Sequence, residues 1–279
     1  MTKEPLTILI TGAASGIGAA TVKLLSDHGF RVAAVARKDD DIARLARIGP
    51  GVLPFMADLS RPEEIERLSA EVKAKFGSVD VLINNAGFGV RGAVEECPPA
   101  AVREMFEVNT FAPYLLARHF LPEMRERKNG LILNISSVTG ILSSPFSGMY
   151  AASKHALEGW SDSLRMEVQP FGVRVVLVQL GMIRTNFMEN SMRRSEPVLS
   201  NHLSVYAPVY RKTVQAFSRL SVGALRPEKT ARLLLRIIKA KRPRARYRQQ
   251  FLARIAPFLL TILPRRLLDR LLQLQIGLR

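Results

Sequence analysis

Only one cysteine, Cys97, occurs in 279 residues, so no disulfide can close within the chain and a reducing compartment is expected. Its setting in Glu95-Glu-Cys-Pro-Pro reads as a helix start, with the thiol structural. Histidine is scarce too. His28, His119, His155 and His202 share no ligand spacing and no carboxylate cluster accompanies them, so no metal site is expected. Long apolar runs are missing. The longest, residues 255–263, is nine residues interrupted by Pro257 and Thr261, against the roughly 20 that a spanning helix needs. The opening Met-Thr-Lys-Glu-Pro has neither the basic region nor the apolar stretch of a signal peptide. A cytoplasmic chain is the resulting expectation.

Acidic residues are short in one place above all. Residues 226–279 hold 15 Lys/Arg against 2 Asp/Glu, in a chain whose totals are 41 and 24. Within this tail, apolar pairs at 251/252, 255/256, 259/260, 267/268 and 271/272 recur near helical spacing with arginines between them. Basic amphipathic helices of this kind can lie on anionic membrane surfaces. The alternative is a cap over a pocket or a subunit interface. Nucleic acid is not an expected partner, because no binding motif accompanies the charge and the tail has little aromatic interleaving.

Apolar residues are plentiful, at 47%, enough for a sizeable core. Strand-like runs recur at 6–10, 31–36, 52–56, 79–83, 131–135 and 173–180. Helical patterns separate them, notably at 62–76, 102–127 and 150–169. Pro122 should kink or break the second of these three helices. Alternating strands and helices imply an α/β fold: a Rossmann-like, doubly wound parallel sheet with helices on both faces. No internal repeat is evident. One catalytic domain over 1–250 is expected, with a variable substrate-binding segment at 186–225 and a basic helical extension at 251–279.

Two motifs carry chemistry. Thr11-Gly12-Ala-Ala-Ser15-Gly16-Ile17-Gly18 lies between the first strand and first helix, the order of a dinucleotide phosphate cradle, where glycines admit the pyrophosphate to a helix N-terminus. Tyr150 and Lys154 stand four apart in Tyr-Ala-Ala-Ser-Lys, thirteen residues after Ser137. On a helix they share a face. The ammonium should lower the tyrosine pKa from its usual value of about 10, and a serine hydroxyl can bond a substrate oxygen. Ser136 is the adjacent candidate, and the thirteen-residue interval favours Ser137.

With these motifs in place, the chain resembles the short-chain dehydrogenase/reductase family over about residues 6–248, and its hydroxysteroid 17-beta and retinol dehydrogenase branch in local stretches such as Ser153-Lys-His-Ala-Leu-Glu-Gly-Trp160. The resemblance implies seven strands in the order 3-2-1-4-5-6-7, with residues 244–248 supplying the last. It matches Asp58 and Leu59 to the adenine contact, and Asn85, Ala86 and Gly87 to the adenosine side. Gly181, Ile183 and Thr185 fall on the nicotinamide segment, where Leu180 replaces the family's usual proline. Implied catalytic roles are Tyr150 as general acid or base and Ser137 as substrate-oxygen partner. Lys154 would bind the nicotinamide ribose and stabilise a partly deprotonated Tyr150. Asn109 would hold a water linking Lys154 to solvent.

Cofactor choice turns on the end of the second strand. Ala36 stands where an NAD-selecting carboxylate belongs, and Arg37 follows it. A guanidinium suits a ribose 2′-phosphate, and in the resembling family this goes with NADP(H) in preference to NAD(H). Asp39, Asp40 and Asp41 are the counter-argument. In the variable segment, Phe187, Met188, Met192, Leu199, Leu203, Val205, Tyr206, Tyr210 and Phe217 form an expected apolar wall. Such a wall suits a lipophilic alcohol or carbonyl of steroid, retinoid or long-chain type. The bland alternative is a lid helix packed on the core. The expected activity is an NADP(H)-dependent alcohol–carbonyl oxidoreductase, forming a homodimer or homotetramer as the resemblance implies. The competing reading is a dinucleotide-sensing regulatory protein, which would be expected to lack one of Asn109, Ser137, Tyr150 and Lys154.

Overall fold

The computed structural model describes residues 5–221, 223–275 and 278. Seven parallel strands form one sheet: β1 (Thr7–Thr11), β2 (Arg31–Ala36), β3 (Val52–Met56), β4 (Val81–Asn84), β5 (Gly130–Ser137), β6 (Val173–Leu180) and β7 (Arg246–Arg248). Their order is β3-β2-β1-β4-β5-β6-β7, as the resemblance implied. The inner strands are apolar nearly throughout because both faces are covered, whereas the edge strands β3 and β7 are only partly buried. Alternate side chains serve opposite layers. Ile8 and Ile10 pack with Val22 and Leu25 of α1 (Gly16–Asp27) and Leu234 and Ile237 of α9 (Pro227–Lys239). Leu9 packs with Leu68 and Val72 of α3 (Pro62–Phe76) and Leu116 and Phe120 of α5 (Ala112–Glu126).

Local chemistry sets the element ends. Pro62 begins α3, Glu63 and Glu64 fill its first turn, and Lys73 and Lys75 its last, each complementing the helix dipole. Gly77 ends it at φ +73°, a conformation in which a side chain is strained. The remaining helices are α2 (Asp39–Leu45), α4 (Pro99–Phe106), α6 (Gly148–Val168), α7 (Phe187–Leu199), α8 (Ala207–Ser221), α10 (Phe251–Ile262) and α11 (Arg265–Gln275).

One expectation is corrected. The helical pattern over 102–127 is broken, but not at Pro122, which lies inside α5. The interruption is a π-helical turn, Glu107–Phe111, between α4 and α5. Its cause is polar: Asn109 and Thr110, both buried, turn inward to bond other segments. Such widened turns gather at functional sites.

β2 and β3 lie on one side of β1 and β4 to β7 on the other. The strand order therefore reverses between β1 and β4, where open parallel sheets bind ligands at their strand carboxyl ends. β1, β4, β5 and β6 end respectively just before Gly12, at Asn84, at Ser137 and just before Gly181.

Candidate active site

The glycine turn is closed too tightly for side chains. A Cβ on Gly18 would lie 2.0 Å from the Gly12 carbonyl oxygen, and one on Gly16 (φ +52°) would lie 2.7 Å from Thr185 Cγ2. Gly12, at φ +64°, approaches Ala86 so closely that a Cβ would sit 2.9 Å from its Cα. Thr11 and Asn85 lock the turn to the end of β4: Thr11 Oγ1 accepts from Asn85 N and Ala86 N, each at 3.0 Å, while Asn85 Nδ2 donates to Thr11 O at 2.9 Å. Ser15, the residue capping α1, makes no side-chain bond to the helix. The first-turn N–H groups of α1 have no partner within their own helix, so backbone donors, glycine clearance and helix dipole fit a pyrophosphate. Gly12, Ser15, Gly16, Ile17, Gly18, Ala86, Gly87 and Thr185 would frame it.

Asp58 and Leu59 follow β3; burial works to raise the Asp58 carboxyl, but bonds from Ser60 together with the Arg37 and Arg61 guanidinium charges draw it below its ordinary value. Arg37 is half-exposed and stands 3.9 Å from Glu104. The three aspartates that opposed the cofactor reading head α2. Asp41 is engaged by Arg44, which also donates to Ala14 O of the glycine turn, both at 2.7 Å. Arg44 was not singled out from sequence, because an arginine in a charged surface helix carries no distinguishing pattern.

Gly181 is pressed by Gln250: a Cβ would lie 2.1 Å from Gln250 Oε1, while Gln250 Nε2 donates to Met182 O at 2.6 Å. Ile183 pairs with Leu225 in a short bridge. The segment that departs from the family's Pro-Gly is thus braced by Leu225 and by Gln250, the residue just before the C-terminal extension.

Tyr150 and Lys154, both buried, project from the first turns of α6. Ser137 lies at the end of β5 and accepts from Thr139 N at 3.1 Å. The Ser137 and Thr139 hydroxyls act on the Tyr150 phenol. Ser136 faces elsewhere, toward Gly140, as strand alternation requires. Phe187 closes on Tyr150 with ring centroids 5.7 Å apart. Gly87 brings the other two groups together, since a Cβ there would sit 2.9 Å from Asn109 Oδ1 and 3.6 Å from Lys154 Nζ.

Two electrostatic expectations change. Burial pushes the Tyr150 phenol above its ordinary pKa, whereas proximity to Lys154 was expected to lower it. The cation that opposes this rise is Arg91, whose guanidinium carbon lies 5.1 Å from the Tyr150 ring centroid. Lys154 instead donates from Nζ to Ile135 O at 3.0 Å, and burial brings its own pKa down to about 8 despite Glu158. Asn109 is likewise more engaged than expected. Its Nδ2 donates to Phe88 O and Ser153 Oγ at 2.9 and 3.1 Å, and its Oδ1 accepts from Phe88 N at 3.0 Å.

Arg91 escaped the sequence reading, since an arginine in a glycine-rich loop ordinarily lies in solvent. Here it is buried and bonds Ser191 Oγ of α7 and Ser147 Oγ at the head of α6, while its backbone N–H donates to Ser195 Oγ at 2.7 Å. Arg194 adds a second clasp: it reaches both Glu104 oxygens at 3.1 Å and lies 3.9 Å over the Phe88 ring. α7 is thereby fastened across the Tyr150 pocket. The expected apolar wall forms only in part. Tyr206 and Tyr210 pack on Phe146, and Leu199 joins them. Met188 and Met192 are half-buried. Leu203 and Val205 are corrections: they sit in the turn between α7 and α8, 95% and 83% exposed, where no packed element covers them. The side chain of Phe217 lies outside the described residues.

The strand carboxyl ends, the glycine cradle and the set of Ser137, Tyr150 and Lys154 have counterparts among known proteins. Residues 6–196 match the family model described as short chain dehydrogenase. The chain is 36% identical to the Escherichia coli uncharacterized oxidoreductase YbbO, covering 95% of this chain and 93% of that one. It is 32% identical to a Bacteroides thetaiotaomicron 3-ketodihydrosphingosine reductase over 86% of each. Human 17-beta-hydroxysteroid dehydrogenase type 1 is 33% identical over 86% of this chain and 76% of its own. Among solved structures, a Streptomyces avermitilis short-chain dehydrogenase superposes with a TM-score of 0.81 at 32% identity, covering 94% of each chain. A metagenomic short-chain oxidoreductase in complex with NADP gives 0.69 at 30% identity, covering 88% of this chain and 98% of that one. The chain belongs to the short-chain dehydrogenase/reductase family, in its hydroxysteroid and retinol dehydrogenase branch, and is an oxidoreductase acting on CH–OH groups.

Proposed function

We propose that the protein is an NADP(H)-dependent oxidoreductase interconverting a lipophilic secondary alcohol and ketone, or alcohol and aldehyde, with reduction the favoured sense. The observation that carries this reading is the buried Tyr150 phenol, set between Ser137, Phe187 and Arg91 under α7. A raised pKa keeps the phenol protonated at neutral pH, the form a general acid needs. Tyr150 gives its proton to the carbonyl oxygen, and the Ser137 hydroxyl donates to the same oxygen as charge develops on it. NADP(H), when bound, supplies or accepts the hydride. Lys154 binds the nicotinamide ribose and stands where a proton can be returned to Tyr150. The Asn109 carboxamide is taken up by Phe88 and Ser153, so a water on that return path would be held through the main chain of the π turn.

NADP(H) over NAD(H) is supported by Ala36 and Arg37 at the end of β2, by Arg44 against the glycine turn, and by the NADP held in a solved relative. Lipophilic substrates are supported by Phe187 on Tyr150 and by relatives named for a ketosphingoid and a hydroxysteroid. A homodimer or homotetramer is supported by Phe111 and Tyr114, exposed aromatic residues at the start of α5. A cytoplasmic enzyme peripheral at a membrane suits such a substrate.

The test is a panel of steroid, retinoid and long-chain ketones and aldehydes, followed by NADPH absorbance. Turnover with at least one lipophilic carbonyl is expected, falling about 100-fold or more in Tyr150→Phe. Equal turnover by Tyr150→Phe sinks the mechanism.

A further inference from the structure

The C-terminal extension has two faces. Its inner face packs on the turn that follows Ser137: Ala256 and Leu268 are buried against Leu142, with Leu260 and Leu272 beside them. Leu278 then reaches the cluster of Phe146, Val198 and Tyr210, where α7 and α8 meet. The extension therefore lies against the turn after Ser137 and beside the junction of α7 and α8. Its outer face is apolar as well. Phe251, Phe258 and Ile262 of α10 are 76, 65 and 74% exposed, and offsets of seven and eleven residues align them in one stripe. Leu267, Leu271 and Leu274 of α11 repeat the pattern at offsets of four and seven, at 44, 48 and 59% exposure. Single exposed leucines are ordinary; two aligned stripes on successive helices mark a surface that something covers.

We infer that this outer face docks on an anionic lipid bilayer, laying the stripes of α10 and α11 among the acyl chains and turning the junction of α7 and α8 toward the membrane. Charge selects this occupant. Arg254, Arg265, Arg266 and Arg270 are exposed along the two helices, with Asp269 the only acidic residue there. Arginines bordering an apolar stripe complement anionic headgroups. A second copy of the chain would set the same arginines against one another if it met this face about a two-fold axis. No helix among the described residues is long and apolar enough to cross a membrane, so the contact lies in the interface plane. The inference deepens the peripheral contact proposed above and rests on that reading for its purpose: a lipophilic substrate would enter from the bilayer.

Full-length protein is mixed with phosphatidylcholine vesicles, with or without one-quarter phosphatidylserine, and sedimented in low and high salt. Two variants accompany it, Phe258→Ser/Ile262→Ser/Leu271→Ser and Arg265→Glu/Arg266→Glu/Arg270→Glu. Far-UV circular dichroism and NADPH fluorescence confirm that each is folded. Expected are binding to anionic vesicles at least tenfold tighter than to neutral ones, weakening in high salt, and a tenfold or greater loss in both variants. Absence of binding, indifference to phosphatidylserine, or unchanged binding by the folded variants overturns the inference. So does a change of oligomeric mass in the apolar variant, which would make the face a subunit interface. These readouts need no substrate, so failure of docking and failure of the carbonyl-reductase reading are seen separately.

Discussion

At Tyr150, one buried phenol has two cations within its neighbourhood and they do different things. Lys154 spends a proton on the Ile135 carbonyl, while Arg91 faces the aromatic ring. Burial raises the Tyr150 pKa and Arg91 opposes that rise. Replacing Arg91 by methionine should therefore raise it further. In alcohol oxidation, where Tyr150 must accept a proton, kcat/KM climbs with pH through this pKa. The climb should move to higher pH in Arg91→Met and by less in Arg91→Lys; superimposable profiles for wild type and Arg91→Met would refute the role. Cofactor choice is also decided by single side chains. Arg37→Asp should lower the NADPH/NADH ratio in kcat/KM by about tenfold or more, since a charge-assisted contact worth roughly 1.5–3 kcal/mol is exchanged for repulsion. An unchanged ratio would place selection elsewhere, Arg44 being the next residue to change.

At the scale of elements, the π turn is the piece that departs from regularity. Asn109 within it makes three hydrogen bonds to Phe88 and Ser153, fixing the strand-end loop of β4 to α6. Asn109→Ala leaves the Phe88 amide and carbonyl without these partners and should cost roughly 2–3 kcal/mol, measured by urea unfolding; a loss under 0.5 kcal/mol would show that water replaces the carboxamide freely. The turn was not legible in sequence, because residues 102–127 keep helical spacing straight through it. Pro122 drew attention instead and proved compatible with α5. The strands, by contrast, were legible nearly to the residue at 31–36, 52–56 and 173–180: β2 and β6 are covered on both faces and so almost wholly apolar, and the edge strand β3 is an apolar run although Leu53 and Met56 are exposed. The glycine turn was equally plain: its spacing is set by backbone clearance, and Gly18 has none to spare.

At the scale of the molecule, α7 lies against Tyr150 through Phe187, and α10 and α11 pack on the turn that follows Ser137. Arg194 ties α7 to α4 through Glu104 and to the β4 loop through Phe88. The pair is only partly buried, so Arg194→Ala should destabilise the closed arrangement by about 1 kcal/mol. That corresponds to a KM raised about fivefold with kcat little changed; a fall in kcat at constant KM would mean that Arg194 acts on the chemistry rather than on closure.

The sequence by itself determined the α/β layering, the cradle of glycines and the spacing of Ser137, Tyr150 and Lys154, because periodicity, backbone clearance and helix pitch are local properties. Tertiary structure alone decided which cation faces Tyr150, that Asn109 spends its carboxamide on Phe88 and Ser153, that Leu203 and Val205 turn to solvent, and that the basic tail both packs on the turn after Ser137 and presents a second apolar face. Those outcomes depend on burial and on partners distant in the chain. Arg91 is drawn inside by Ser147 and Ser191, 56 and 100 residues away, and no pattern confined to its own loop records that.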